Sequence, residues 1–176
     1  MIPLNKDDIC PEFYKEFVSK FEKKVRRYVE KGRIGKKKLR PKVKCFLEYL
    51  LSDDNLMSLL NCPANELKPH TEELCKTFDI LRDREHLAFR QIRRIFVDNT
   101  YKTEFPKADF IRALDIKVCP YCNRSFIECI DKNDKSSPIK GQLDHFYSKE
   151  RYPFLALSRF NLIPCCSVMG WEESLW

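Results

Sequence analysis

Long apolar runs are missing from this chain of 176 residues. No window approaches the roughly 20 apolar residues that a bilayer-spanning helix needs, so no membrane partner is expected. The opening MIPLNKDD lacks the cationic stretch and apolar run of an export signal, and the expected compartment is the cytoplasm. Internal repeats and low-complexity tracts are also missing. Histidine is scarce, with three in the chain. His70 and His86 have no metal-like spacing to each other and are expected to be non-catalytic. The length and the 43% hydrophobic content allow one ordinary core, or a helical domain with a small appendage, and exclude a large multidomain enzyme.

Cysteine, in contrast, is plentiful. Nine cysteines would be a disulfide framework in a secreted chain, but the number is odd and no export signal is seen. Reduced thiols and metal ligands are therefore expected, with metal favoured where the cysteines cluster. Charge is distributed unevenly. Between Lys15 and Lys44 there are fourteen Lys or Arg against three Glu, while the whole chain carries +7. The run Lys36, Lys37, Lys38, Leu39, Arg40 suits a phosphate backbone, because each neutralised phosphate releases counterions whatever the base sequence. A solvated helix face with a basic loop is the plainer alternative.

The first hundred residues read as helices. Phe13, Phe17, Phe21 and Val25, with Tyr28 or Val29, form one apolar stripe, closed by Gly32 and Gly35. Val43, Phe46, Leu47, Leu50 and Leu51 mark a second helix after Pro41, ending near Ser52 and Asp53. Residues 54–61 read as a further short helical turn. Thr71 is expected to cap a long helix with Leu74, Phe78, Leu81, Ala88, Ile92 and Ile95 or Phe96 on its buried side. The opposite face carries Arg82, Arg84, Arg90, Arg93 and Arg94, open to nucleic acid or to pairing. A short helix with Phe110, Ile111 and Leu114 follows Pro106. Two short strands, Ser125 to Asp131 and Ile139 to His145, then flank a polar turn from Lys132 to Ser137. The expected fold class is α+β. A basic helical domain over residues 1–105 precedes a small cysteine-bearing domain over 106–176.

Chemistry concentrates in that second domain. Cys119-Pro120-Tyr121-Cys122 places two thiols so that both can close on one zinc at the end of a tight turn, with bonds of about 2.3 Å. The same four letters also match the redox dithiol of glutaredoxins. That reading requires a strand before the motif and a helix after it, whereas helices precede it here and Ser125 to Ile130 looks like a strand. Cys165 and Cys166 follow after 42 residues, directly behind Asn161-Leu162-Ile163-Pro164. Between the two pairs lies Asp144-His145, a carboxylate able to hold a hard divalent cation beside an imidazole able to take a proton from water. For a phosphodiester, such a pair can generate the nucleophile while a metal stabilises the phosphate charge.

The ordered set Cys119 to Asn123, Leu143 to Tyr147, Tyr152 to Leu157 and Asn161 to Cys166 resembles bacterial HNH endonucleases. The likeness is to the group that includes the nuclease partner of Septu and retron-associated anti-phage systems, and it covers roughly residues 106 to 168. It implies a zinc-stapled ββα-metal unit that cuts nucleic acid, with DNA the expected substrate. It further implies His145 as general base, Asp144 as ligand of a catalytic Mg²⁺ or Mn²⁺, and Asn161 holding the His145 loop. Cys119, Cys122 and Cys166 would bind a structural Zn²⁺, with Cys165 a less comfortable fourth ligand. A partner ATPase and a role in antiviral defence are implied by the resemblance alone.

The departures carry their own expectations. The family pattern puts the partner of Cys166 at position 169, which here is Met169. It continues with a helix donating the last metal ligand, where this chain reads Gly170-Trp171-Glu172-Glu173-Ser174-Leu175-Trp176. A curtailed last helix, with neither Glu172 nor Glu173 in a recognisable motif position, predicts weak or absent catalysis. The alternative function is therefore a zinc-bearing module that binds nucleic acid or a partner without chemistry.

Overall fold

The apolar stripe from Phe13 to Val25 does form one face of a helix, α1 (Glu12–Lys31), which buries Phe17, Phe21 and Val25. It stops at Gly32, whose φ of +59° is the left-handed conformation that glycine adopts without steric cost. The computed structural model describes residues 12–127 and 141–166. Residues 1–11, 128–140 and 167–176 lie outside the described residues. With them go most of the first expected strand, the polar turn from Lys132 to Ser137, Met169, Glu172 and Glu173. The architecture is α+β: the described residues form six α-helices and two antiparallel two-stranded sheets. None of these helices is long and apolar enough to cross a membrane.

The chain divides into two units, each built from separated segments. The helical unit takes residues 16–105 and 147–161; the other takes 1–15, 106–146 and 162–176. In the helical unit, α1 is followed by a ribbon that the sequence reading missed, β1 (Arg33–Ile34) paired with β2 (Lys37–Lys38). Gly35, with φ +58°, stands at the first of the two loop positions, where a two-residue hairpin favours glycine. Next comes α2 (Pro41–Leu50), whose proline sits where the missing N–H costs no helical hydrogen bond. A shorter α3 (Asn55–Asn61) follows.

The single long helix expected after Thr71 is not formed. The structure has α4 (Leu67–Thr77), a 3₁₀ turn (Asp79–Leu81), α5 (Leu87–Arg93) and a π-helical stretch (Arg94–Tyr101). Thr71 lies buried inside α4 instead of capping a helix. Local side chains explain the break. Phe78 is extended, with φ −120° and ψ 95°, and the Asp83 carboxylate accepts the backbone N–H groups of Glu85 and His86 at 3.1 and 3.2 Å. His86 Nδ1 then accepts the Ala88 N–H at 3.0 Å, capping α5. These side chains offer the backbone partners that a continuous helix would have to supply itself.

In the π-helical stretch the Thr100 hydroxyl donates to the Ile95 carbonyl at 2.7 Å. Lys24 Nζ of α1 donates to Asn99 O, Thr100 Oγ1 and Glu104 Oε1. An ammonium withdrawn from water in this way is tolerated because all three of its donors are used. Arg93 makes a two-pronged contact with Glu150, at 3.0 and 3.1 Å, and also reaches Asp98 at 3.1 Å. The bond to Glu150 raises the guanidinium pKa and lowers that of the carboxyl. This planar pairing ties the 147–161 segment to α5.

At the centre of the helical unit the Phe46 ring lies 5.1 Å from Phe78 and 6.4 Å from both Phe96 and Phe154. In the other unit, α6 (Lys107–Leu114) buries Phe110, Ile111 and Leu114, with Tyr14 6.2 Å from Phe110. Its β-ribbon pairs β3 (Gly141–His145) with β4 (Leu162–Cys166), Gly141 opposite Cys166 and His145 opposite Leu162. Replacing Phe46 by Ala should destabilise the protein by about 3–5 kcal/mol, read as a lower urea midpoint. A loss under about 1 kcal/mol would mean that this aromatic cluster is not the core.

Candidate metal centre

Residues 117–127 fold back on themselves with the two motif cysteines at the tip. Cys119 N–H donates to Ser125 O at 2.9 Å, Ile127 N–H to Lys117 O at 3.0 Å, and Val118 bridges Phe126. The turn closes through Asn123, whose N–H reaches Cys119 O at 2.8 Å and whose φ of +51° is a conformation that asparagine tolerates better than most residues. Into this tip β4 delivers Cys166. The Sγ atoms of Cys119, Cys122 and Cys166 all lie within 4.8 Å of one another and could hold a metal ion. Cys122 and Cys166 are 3.9 Å apart, and among the described residues every cysteine is a free thiol.

The surroundings of the three sulfurs are polarised. Cys119 is fully buried, and burial pushes its thiol up, although the backbone N–H groups of Cys122, Cys166 and Tyr121 aim at it and pull the other way. The N–H groups of Ser125 and Arg124 draw the Cys122 thiol down to about 6. Amide donors converging on sulfur stabilise thiolates, the form in which cysteine binds metal. Cys165 is fully buried, and burial, followed by the nearby Asp144 charge, pushes its thiol up to about 12. Neighbouring strand residues project to opposite faces, and the trio within reach of one ion comprises Cys166 and not Cys165. Cys165 packs with Cys119, Ile127 and Cys166 in a small core.

Asp144 is half-buried and accepts a hydrogen bond from Tyr121 Oη at 2.8 Å. Burial, then this bond, raises the Tyr121 pKa, so the phenol stays a donor. Among the described residues no group of three potential ligands includes Asp144. His145 is 4% exposed, and strand alternation sends its ring to the face opposite Asp144. Asn161 is fully buried. Its Oδ1 accepts the Tyr147 N–H at 2.6 Å, while its Nδ2 donates to Tyr147 O at 3.1 Å and Leu155 O at 3.0 Å. These three bonds hold the chain two residues beyond His145.

The basic run occupies the β1–β2 ribbon and its exit, where Lys36, Lys37, Lys38 and Arg40 are exposed. Gln91 of α5 clamps this exit, donating to Lys38 O at 2.8 Å and accepting from Arg40 N at 3.0 Å. Lys37, Lys38 and Arg40 thereby line a groove of about 610 Å³ together with Arg90 and Arg94, although Arg90 is also paired with Glu85 at 3.2 Å. Leu87, 50% exposed, contributes an apolar wall. Lys36 lies outside the groove lining. The parts that sequence reasoning missed are Tyr121 as the partner of Asp144 and Gln91 as the clamp of the ribbon exit; Arg90 and Arg94 of the expected arginine face do line the groove. Gly35 between Arg33-Ile34 and Lys36-Lys37 was the available hairpin signal; nothing in the sequence announced the Tyr121 bond.

No family model, no curated protein and no solved structure matches this chain.

The thiol environments give a direct chemical prediction. In metal-free protein at pH 7, Cys122 lies above its pKa of about 6 and is thiolate, whereas Cys165, near 12, is protonated. Iodoacetamide should therefore modify Cys122 well ahead of Cys165, with a Cys122 rate that rises as pH passes through about 6. Peptide mass spectrometry would follow it, and equal labelling of the two would contradict this arrangement.

Proposed function

We propose that this chain is a metal-dependent nuclease of the HNH type, hydrolysing phosphodiester bonds of nucleic acid, DNA rather than RNA, around a structural zinc held by Cys119, Cys122 and Cys166. The observation that carries the reading is the cluster of three thiols joined through Tyr121 to the Asp144 carboxylate. Two thiolates on one tetrahedral zinc stand about 3.8 Å apart, and the Cys122–Cys166 separation of 3.9 Å suits that geometry. The N–H groups directed at Cys119 and Cys122 support thiolate ligation as well. The fourth zinc position is left to water or to another protein donor.

In this proposal His145 takes a proton from the attacking water, Asp144 supplies an oxygen to Mg²⁺ or Mn²⁺, and Asn161 holds the chain beyond His145. Such a divalent ion stabilises charge on the phosphate and the leaving oxygen. The basic ribbon, with Lys36, Lys37, Lys38 and Arg40, takes the phosphate backbone. Antiviral defence and an ATPase partner belong to the same proposal and rest on the motif resemblance alone; work in the cytoplasm is proposed from the opening residues, which do not read as an export signal.

A second reading has its own support. His145 has almost no solvent access and Asp144 is already engaged by Tyr121, which favours a zinc-stapled module that binds nucleic acid or a partner without chemistry. The thiol–disulfide reading fares less well. A redox dithiol needs a nucleophilic first cysteine of lowered pKa, whereas Cys119 is buried with a raised one, and a third thiol crowds the pair.

Elemental mass spectrometry of the purified protein should find about one zinc per chain, lost on Cys119→Ser; no zinc in either form would sink both zinc readings. A plasmid-nicking assay in Mg²⁺ or Mn²⁺ separates the two. Nicking that drops about 10²–10⁴-fold on His145→Ala supports the enzyme, while zinc without nicking supports the binding module.

A further inference from the structure

The helical unit contains a cavity of about 330 Å³ bordered by α4, the turn that follows it and the segment 147–161. Its cationic lining is Lys76 of α4, Arg82 and Arg84 from the turn, and Arg151, against the single carboxylate of Glu72. Among the described residues none of these four cations takes part in an ion pair. In the same unit Arg90 and Arg93 are both paired with glutamates, so the bare cations are not a general habit of its arginines.

Thr71 provides an independent sign of a ligand. It is 4% exposed and lines the cavity, yet its Oγ1 has no hydrogen-bond partner. A helical threonine ordinarily satisfies its hydroxyl on the carbonyl one turn back, and a buried hydroxyl left unmatched costs about 1–3 kcal/mol. A bound group that accepts from it removes that cost. The Arg82 guanidinium is held at the Cys75 thiol beside it. Arg151 lies over the Tyr152 ring, 5.6 Å from its centroid, so an aromatic side chain lines the cavity next to the cations.

We propose that this cavity binds a small phosphate-bearing ligand of the nucleoside phosphate class. Arg82, Arg84, Arg151 and Lys76 take the phosphate oxygens, the Thr71 hydroxyl donates to one of them, and Tyr152 offers a face to the base. Guanidinium forks match phosphate geometry in pairs, and a stacked aromatic is how proteins seat a base without reading its identity. The proposal does not rest on the nuclease reading.

The test is calorimetric titration of the full chain with ATP, AMP and inorganic pyrophosphate at about 0.15 M salt, where exposed charges are largely screened. One saturable site is expected for ATP, with weaker binding of pyrophosphate. Arg82→Gln and Arg151→Gln should each weaken it about tenfold or more, the usual worth of a charge-assisted hydrogen bond. Thr71→Val should weaken it and Thr71→Ser retain it, a contrast that a folding defect would not produce. If the arginine variants fail to fold, Lys76→Gln at an exposed position replaces them. Absence of binding by ATP and pyrophosphate up to about 1 mM overturns the proposal. So does ATP binding that none of these changes touches. An oligonucleotide whose binding depends on Arg82 and Arg151, when nucleotides do not bind, overturns it as well, because the surface would then be one for polymeric nucleic acid.

Discussion

The five-residue ladder between β3 and β4 is the contact on which the cysteine centre depends. Cys119 and Cys122 share one turn, but Cys166 reaches them only because β4 lies against β3 with Gly141 opposite Cys166. A slip of one residue would turn every side chain of the strand to the other face and exchange Cys166 for Cys165. Gly141 makes the close approach possible: a Cβ there would stand 2.9 Å from Ile127 O and 3.1 Å from Ile127 Cβ, and a carbonyl of the backbone cannot swing aside as a flexible side chain can. Register and proximity are thus set together by one residue without a side chain. The core that results is small, with Cys119, Ile127, Cys165 and Cys166 fully or nearly buried. A unit of this kind gains little from its own apolar area, so in the proposed zinc form the free energy of ligation becomes free energy of folding.

The helical unit is organised by different means. Its core is aromatic, with Phe46 between Phe78, Phe96 and Phe154, and its polar interior is satisfied group by group. Lys24 spends its three donors where the π-helical stretch presents acceptors, and Arg93 joins α5 to the 147–161 segment. Within that segment the Asn161 amide closes a loop onto Tyr147 and Leu155. The exposed basic ribbon keeps its cations in solvent, while the contacts that hold the ribbon are made by Gln91 to the backbone. Charge is thereby left available where the backbone is pinned.

Elements whose signal is local were legible in the sequence. The stripe of α1, the proline that opens α2 and the apolar triplet of α6 each specify a helix by residues within a few turns, and Cys119 with Cys122 announced a shared turn. What failed was of two kinds. Leu81 and Ala88 stand seven positions apart, two helical turns, so the apolar period runs unbroken across a break made by the Asp83 and His86 side chains. Periodicity reports which face is buried and is blind to a side chain that takes a backbone partner. The other kind is long-range pairing. Leu162 to Cys166 was read as a motif and not as a strand, because a strand's partner, here 17 residues earlier along the chain for Leu162 and His145 and 25 for Cys166 and Gly141, leaves no mark in the segment itself. The same holds for the Tyr121–Asp144 bond, which only tertiary structure creates.

The distance along the chain between the thiols also has a meaning in time. Cys122 and Cys166 are 44 positions apart, and at ordinary rates of synthesis the ribosome takes roughly 2–9 s to cover that interval. For those seconds the nascent chain carries a two-thiol turn without its third member, and the strand that brings Cys166 has not been made. An early ion would find two sulfurs and a half-open coordination sphere, and an early oxidant would find a vicinal pair. The order of the sequence therefore places completion of the centre after the helices preceding Cys119 have been made.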